Sequence, residues 1–289
     1  MRMPDSVGLL YLERFSDADL AVLSEAAGEP GSVAERVVRL HSDPAVIPSL
    51  LERPASFRAL FSDHSQPEFL FASPHLAFSI LVATVWRELG DVAFVREWVA
   101  PRLTVPVFDV LALRAFAEDA MRRLFLSDLL SSYTHVASGP VWVKTGPRWT
   151  RRRFSELDPL HLIRLIESTP EHEHPPLYRR LGDLSLFLAG VFPDHAASNA
   201  FGGRLDRLQR ALGTDDSLES AADSIQLLEE VGRRSYRMVS REAQVAPAGM
   251  PTVLEDVAEG FSFARRILNF LTERHLFPVR EGWFGRGPV

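Results

Sequence analysis

The chain has 289 residues, 46% of them hydrophobic, a formal net charge of −6 and no cysteine. That length and apolar content describe a globular chain which, as one body, buries roughly three quarters of its unfolded surface. Without cysteine there are no disulfides, thiolate nucleophiles, Cys-ligated zinc sites or iron–sulfur clusters.

The opening MRMPDSVGLLYLERF has one early arginine but no long apolar run leading to a small-residue cleavage site, so no signal peptide is read. Ser16-Asp-Ala-Asp predicts a helix through about Ala27, with Ser16 or Asp17 as cap, Gly28 as stop and GEPGS as a turn. Further helices are predicted over 32–41, 44–53 and 54–61, each punctuated by proline or aspartate. A stronger helix runs from Pro74 to Gly90. Its apolar run, 76–86, is about half of the roughly 20 residues that a membrane span needs, so it reads as a buried helix. A helix over 91–99, an extended connector PRLTVP and one long helix over 107–133 are expected next. Val110, Leu113, Ala117, Ala120 and Leu124 form the inner stripe of that long helix. Arg114, Glu118 and Arg122, and likewise Asp119 and Arg123, stand at i, i+4 spacing on what should be its solvent face.

Residues 139–153, GPVWVKTGPRWTRRR, break the helical pattern. Two β-favouring runs around a TGP turn predict a β-hairpin, the only sheet expected. Helix returns over 155–167, and STPEHEHPP leads to the stretch on which the fold is expected to centre, PPLYRRLGDLSLFLAGVFPDH, residues 175–195. There Gly182, Ser185, Ala189 and Gly190 stack on one nearly bare helix face, which lets a second backbone approach closely. Pro193 ends it. A short helix over 194–201 resumes through Leu212, and Ser217 caps a long helix whose Gly232 and Ser235 offer a matching small-residue face. Thr252 and Glu255 read as a capping box. Leu254, Val257, Phe261, Ala264, Leu268 and Leu271 form a heptad-like stripe in the last helix, which ends at Pro278. No fixed period marks an internal repeat.

The fold class is therefore all-α, a multi-helix globular array with one small β-hairpin near 139–153. A single domain over 1–289 is expected. The element order suggests one subdivision, into an N-terminal half (1–136), the hairpin (137–154) and a C-terminal helical half (155–289).

Asp183 is out of place among leucines, because a buried carboxylate needs partners. Arg179 and Arg180 supply them within one helical turn, so a structural ion pair competes with a carboxylate facing a ligand pocket, which Tyr178, Arg179, Asp183 and His195 would line. Lys144, Arg148, Arg151, Arg152 and Arg153 interleave with Trp142 and Trp149, where cations could meet phosphates while an indole stacks on a base. The helix before them lacks base-reading side chains, and the pI near 5.9 argues against nucleic acid as the partner of the whole chain. Trp283 and Phe284, among glycines, either dock on the chain's own bundle or recognise a partner.

Glu171 to His174 contain the Glu-x-x-His spacing of a di-iron bundle once, where such a site needs it twice, so a solvated loop is the reading. His75, His161 and His195 are scattered, as capping or core histidines are. Lys144 is the only lysine, so Schiff-base chemistry would have to use it; the excess of arginine reads as GC-rich coding. No zinc-protease, nucleophile-elbow, phosphate-loop or dinucleotide motif is present. With no catalytic residues, metal or cofactor implied, the sequence favours a soluble, cytoplasmic, non-catalytic protein that presents a surface to a protein partner as scaffold, adaptor or regulatory subunit. A small-molecule binder or enzyme with a cavity near Asp183 is the second reading, and a nucleic-acid contact through the hairpin the third.

Overall fold

Serine caps set the first helices. Ser16 Oγ accepts from the Asp19 amide at 3.2 Å while Asp19 takes the Ser16 amide at 3.0 Å, and Ser32 and Glu35 repeat the arrangement. The computed structural model describes residues 5–61, 72–100, 103–136, 138–145, 148–193, 221–241 and 250–276; the side chains of 138–154 are outside that description. The backbone falls into two compact units, residues 1–93 with 109–132, and 94–108 with 133–289.

The first unit holds α1 (Asp5–Leu12), α2 (Asp17–Ala26), α3 (Val33–Ser42), a 3-10 turn Pro44–Val46, α4 (Ile47–Leu51) and α5 (Pro54–Phe61). It also holds α6 (Pro74–Glu88), α7 (Val110–Glu118) and α8 (Ala120–Ser132). Every residue of α6 from Leu76 to Val85 is buried, and α6 packs on α8. Asp19, 2% exposed, also accepts the amide of Ser73, the cap of α6, at 2.8 Å, so one carboxylate ties two helix starts together.

The single helix expected over 107–133 is two, broken at Asp119, whose ψ of 117° is extended. The Asp119 carboxylate then accepts the Met121 amide at 2.8 Å and starts α8 afresh. The break changes the helical phase, so Arg123 faces the core instead of solvent. It is 6% exposed, lies 4.5 Å over the Trp86 ring, donates to the carbonyls of Ala117 and Glu118 and pairs with Glu52 at 2.6 Å.

The second unit contains β1 (Val95–Ala100), β2 (Leu103–Val107), β3 (Ser138–Thr145), β4 (Arg148–Ser155), α9 (Pro159–Ser168) and α10 (His174–Val191). It continues with α11 (Ala221–Arg241), α12 (Met250–Glu259), α13 (Phe261–Leu271) and a π-helical turn, Thr272–Leu276. The all-α class with a small hairpin holds, and β3 pairs antiparallel with β4, Ser138 opposite Ser155. A second hairpin corrects two expectations: 91–99 is not a helix, and 139–153 is not the only sheet, because β1 pairs with β2 from Val95 opposite Val107 to Ala100 opposite Leu103. Alternation in VREWV and β-branched residues in LTVPV favour the strand, and Pro101 and Pro106 deny helix to the return segment.

From Leu181 to Val191 the whole of α10 is buried, and its bare face is filled by neighbours. A β-carbon on Gly190 would lie 2.7 Å from Leu268 Cβ; one on Gly232 of α11 would lie 2.2 Å from the Phe261 ring and 3.2 Å from Ser185 Cβ. The two small-residue faces therefore meet as their spacing implied. Asn269 Nδ2 donates to the carbonyls of Ala189 and Gly190 at 3.0 and 2.7 Å, which fixes α13 to the same helix. Leu254, Val257, Phe261, Ala264, Leu268 and Leu271 are all buried, but Gly260 divides their stripe between α12 and α13. Thr252 is the third residue of α12 and not its cap, because the helix begins at Met250 with proline in its first turn. The helix expected over 194–212, the Ser217 cap, His195, Trp283 and Phe284 lie outside the described residues.

Candidate functional site

Asp183 sits in the middle of the second unit, 7% exposed. Arg179 Nε reaches both carboxylate oxygens, at 2.9 and 3.0 Å, and Tyr236 Oη donates to Oδ1 at 2.9 Å. The i, i+4 spacing brings Arg179 to it; the close approach of α11 at Gly182 brings Tyr236. Arg180, the other expected partner, pairs instead with Glu156 at 2.6 Å and lies 3.8 Å over the ring of Tyr133, which stacks on Phe187 at 4.1 Å. Burial, and then the Asp183 charge, pushes the Tyr236 hydroxyl well above its ordinary range; burial does the same to Tyr133. Tyr178 is half-buried with its ring edge on His174, 5.8 Å between centroids. Glu171, His172 and Glu173 are exposed, and no group of three metal-ligating side chains occurs among the described residues. The constellation of Arg179, Asp183 and Tyr236 is an internally bonded polar knot, capable of fixing α10 to α11.

The second constellation was not among the residues singled out from sequence. Strand β1 is held to the unit by charge: Arg265, 4% exposed, pairs with Glu97 and reaches Glu229 at 3.3 Å, and Arg266 Nε donates to Glu97 at 3.0 Å. Burial raises the Glu97 carboxyl, but the two guanidinium groups outweigh it and hold the group below its ordinary value. Trp98 Nε1 donates to Glu273 at 2.9 Å, and burial raises that carboxyl. Val95 is buried.

Strand β2 and the two ends of the hairpin carry the opposite character. Phe94 is 44% exposed, Leu103 54%, Val105 37% and Phe108 71%, with the Phe94 and Phe108 rings 5.8 Å apart. Among the described residues β2 bonds to β1 alone, and Pro106 offers no amide donor along it. The signal was present in the alternation of VREWV and in PRLTVPVF, but a helical reading of 91–99 hid it.

Of the other residues expected to meet a partner, Trp142, Lys144, Arg148, Trp149, Arg151, Arg152 and Arg153 stand in β3 and β4, where the backbone alone is described. No described helix is long and apolar enough to cross a membrane. Comparison with protein-family models, curated proteins and solved structures gives no match to any of them.

Proposed function

We propose that this chain is a non-catalytic helical protein that recognises a protein partner, as a scaffold, adaptor or regulatory subunit, through the exposed apolar side chains of the β1–β2 hairpin. One observation carries the reading: Phe94, Leu103, Val105 and Phe108 are all exposed on a hairpin whose β1 strand is pinned by buried ion pairs, and the Phe94 and Phe108 rings adjoin at 5.8 Å. Exposed apolar side chains on a pinned element are what partner interfaces use. A ligand cavity at Asp183 has less support, because both of its oxygens are bonded internally and Gly182, Gly190 and Gly232 are pressed against neighbouring side chains.

The test is affinity capture from the source cell with wild type and with Leu103→Asp/Phe108→Asp, two exposed changes expected to leave the thermal midpoint within a few degrees. A protein retained stoichiometrically by wild type and lost from the double variant supports the reading. An identical set of retained proteins, or none with either, contradicts it.

A further inference from the structure

In the first unit, α2, α3 and the segment around α4 enclose a cavity of about 150 Å³. We propose that it binds a small monocarboxylate, held on Arg39 and Arg53 in place of the side chain of Glu29. This goes beyond the partner reading, rests on a different unit and stands or falls independently of it.

The chemistry comes from the lining. Leu40 and Leu50, each 2% exposed, and Val46 give an apolar side, and Arg36, Arg39 and Arg53 complete the lining, the last two with half-exposed side chains. Glu29, one-fifth exposed, bridges two of them, at 2.7 Å from Arg53 Nη1 and 3.4 Å from Arg39 Nη1. The site thus already holds a carboxylate between two forked donors, and that carboxylate belongs to the chain itself. Arg36 is 8% exposed; it donates to the Gly31 carbonyl at 2.8 Å and pairs with Glu25, yet its Nε is buried without a partner. A buried charged-group donor left unbonded is costly.

Size and the apolar side narrow the ligand. A cavity of about 150 Å³ accommodates a six-carbon ring, whereas drug-sized molecules need roughly 300–1,000 Å³. The apolar side, Leu40, Val46 and Leu50, matches a short aliphatic chain, which phosphate lacks. Glu29 stands in the turn Gly28-Glu-Pro-Gly, where its amide donates to the Ser24 carbonyl at 2.9 Å, so the side chain is the part that exchanges.

Calorimetric titration of the full chain with butyrate at low salt tests this, with inorganic phosphate and butylamine as controls. Wild type should bind butyrate with a dissociation constant on the order of millimolar, the range that six heavy atoms allow. Glu29→Gln removes the internal competitor and should tighten binding about tenfold, while Arg39→Ala should abolish it. A leucine-terminated tripeptide and its C-terminal amide distinguish a peptide terminus from a free acid as the source of the carboxylate. Butyrate binding that is absent in both wild type and Glu29→Gln, or unchanged between them, overturns the proposal, as does phosphate binding more tightly than butyrate. Because Glu29→Gln is a gain-of-binding change, loss of folding in an arginine variant cannot rescue or sink it.

Discussion

Gly182 and Tyr236 are in direct contact: a β-carbon at position 182 would lie 2.6 Å from the tyrosine ring, inside any real carbon–carbon contact. The ring cannot withdraw, because it is fully buried and its hydroxyl is bonded to Asp183 one residue further along α10. Gly182→Ala is therefore expected to destabilise, although alanine favours helix. Overpacking costs about 1–3 kcal/mol and the propensity gain offsets about 1 of it. Gly232→Ala, with only 2.2 Å to the Phe261 ring, should lose more. Urea midpoints that fall at unchanged slope would bear this out; midpoints equal to or above wild type would refute close packing of α10 and α11.

Removing the Tyr236 hydroxyl takes one bond from a buried carboxylate and leaves its ion pair. Tyr236→Phe is expected to cost about 1.5–3 kcal/mol. Asp183→Asn leaves Arg179 uncompensated, for which about 3–5 kcal/mol is typical; Arg179 is 24% exposed and can turn to water, which places this pair at the lower end. A double-mutant cycle should give coupling between the two positions.

Acid should weaken the first unit through Asp128. Burial alone would raise its carboxyl, but hydrogen bonds from His75 at 2.7 Å and Arg14 at 2.6 and 2.9 Å, with the Arg14 charge, hold it below its ordinary value. A carboxyl depressed in the folded state stabilises above its unfolded value, near pH 4, and that contribution is lost as pH falls through the folded value. The difference in stability between wild type and Asp128→Asn should therefore be constant at neutral pH and shrink as pH drops from about 5 toward 2.

The anchor beneath β1 depends on Arg265, which serves Glu97 and Glu229 from a nearly closed site. Arg265→Ala takes one buried partner from each carboxylate but leaves Arg266 on Glu97 and Arg233 on Glu229, and should cost about 1.5–3 kcal/mol. Backbone amides of 95–100 should then exchange faster with solvent, which peptide-resolved hydrogen exchange reads directly.

What the sequence disclosed and what it hid follow from the range of the interactions involved. Gly182, Ser185, Ala189 and Gly190 were legible as a packing face because their spacing is a property of one helix, and Gly232 with Ser235 could be matched to it for the same reason. Asp183 with Arg179 was legible as an i, i+4 pair, whereas Tyr236 comes from 53 residues away. Arg123 misled because its pairing with Asp119 presumes an unbroken helix, and the break at Asp119 is a backbone event. Arg265 has no local sign of burial in the sequence, because its partner Glu97 lies 168 residues away. Strand β1 was lost because VREWV alternates over too few residues to overrule the helices around it.

The central claim, recognition of a partner by the β1–β2 hairpin, is tested most directly by hydrogen exchange at the amides of 103–108, in the free chain and with the captured partner added. Slowed exchange there, absent in the Leu103→Asp/Phe108→Asp variant and absent at α10, is the predicted result. Unchanged exchange across 94–108, with protection arising elsewhere, would contradict it.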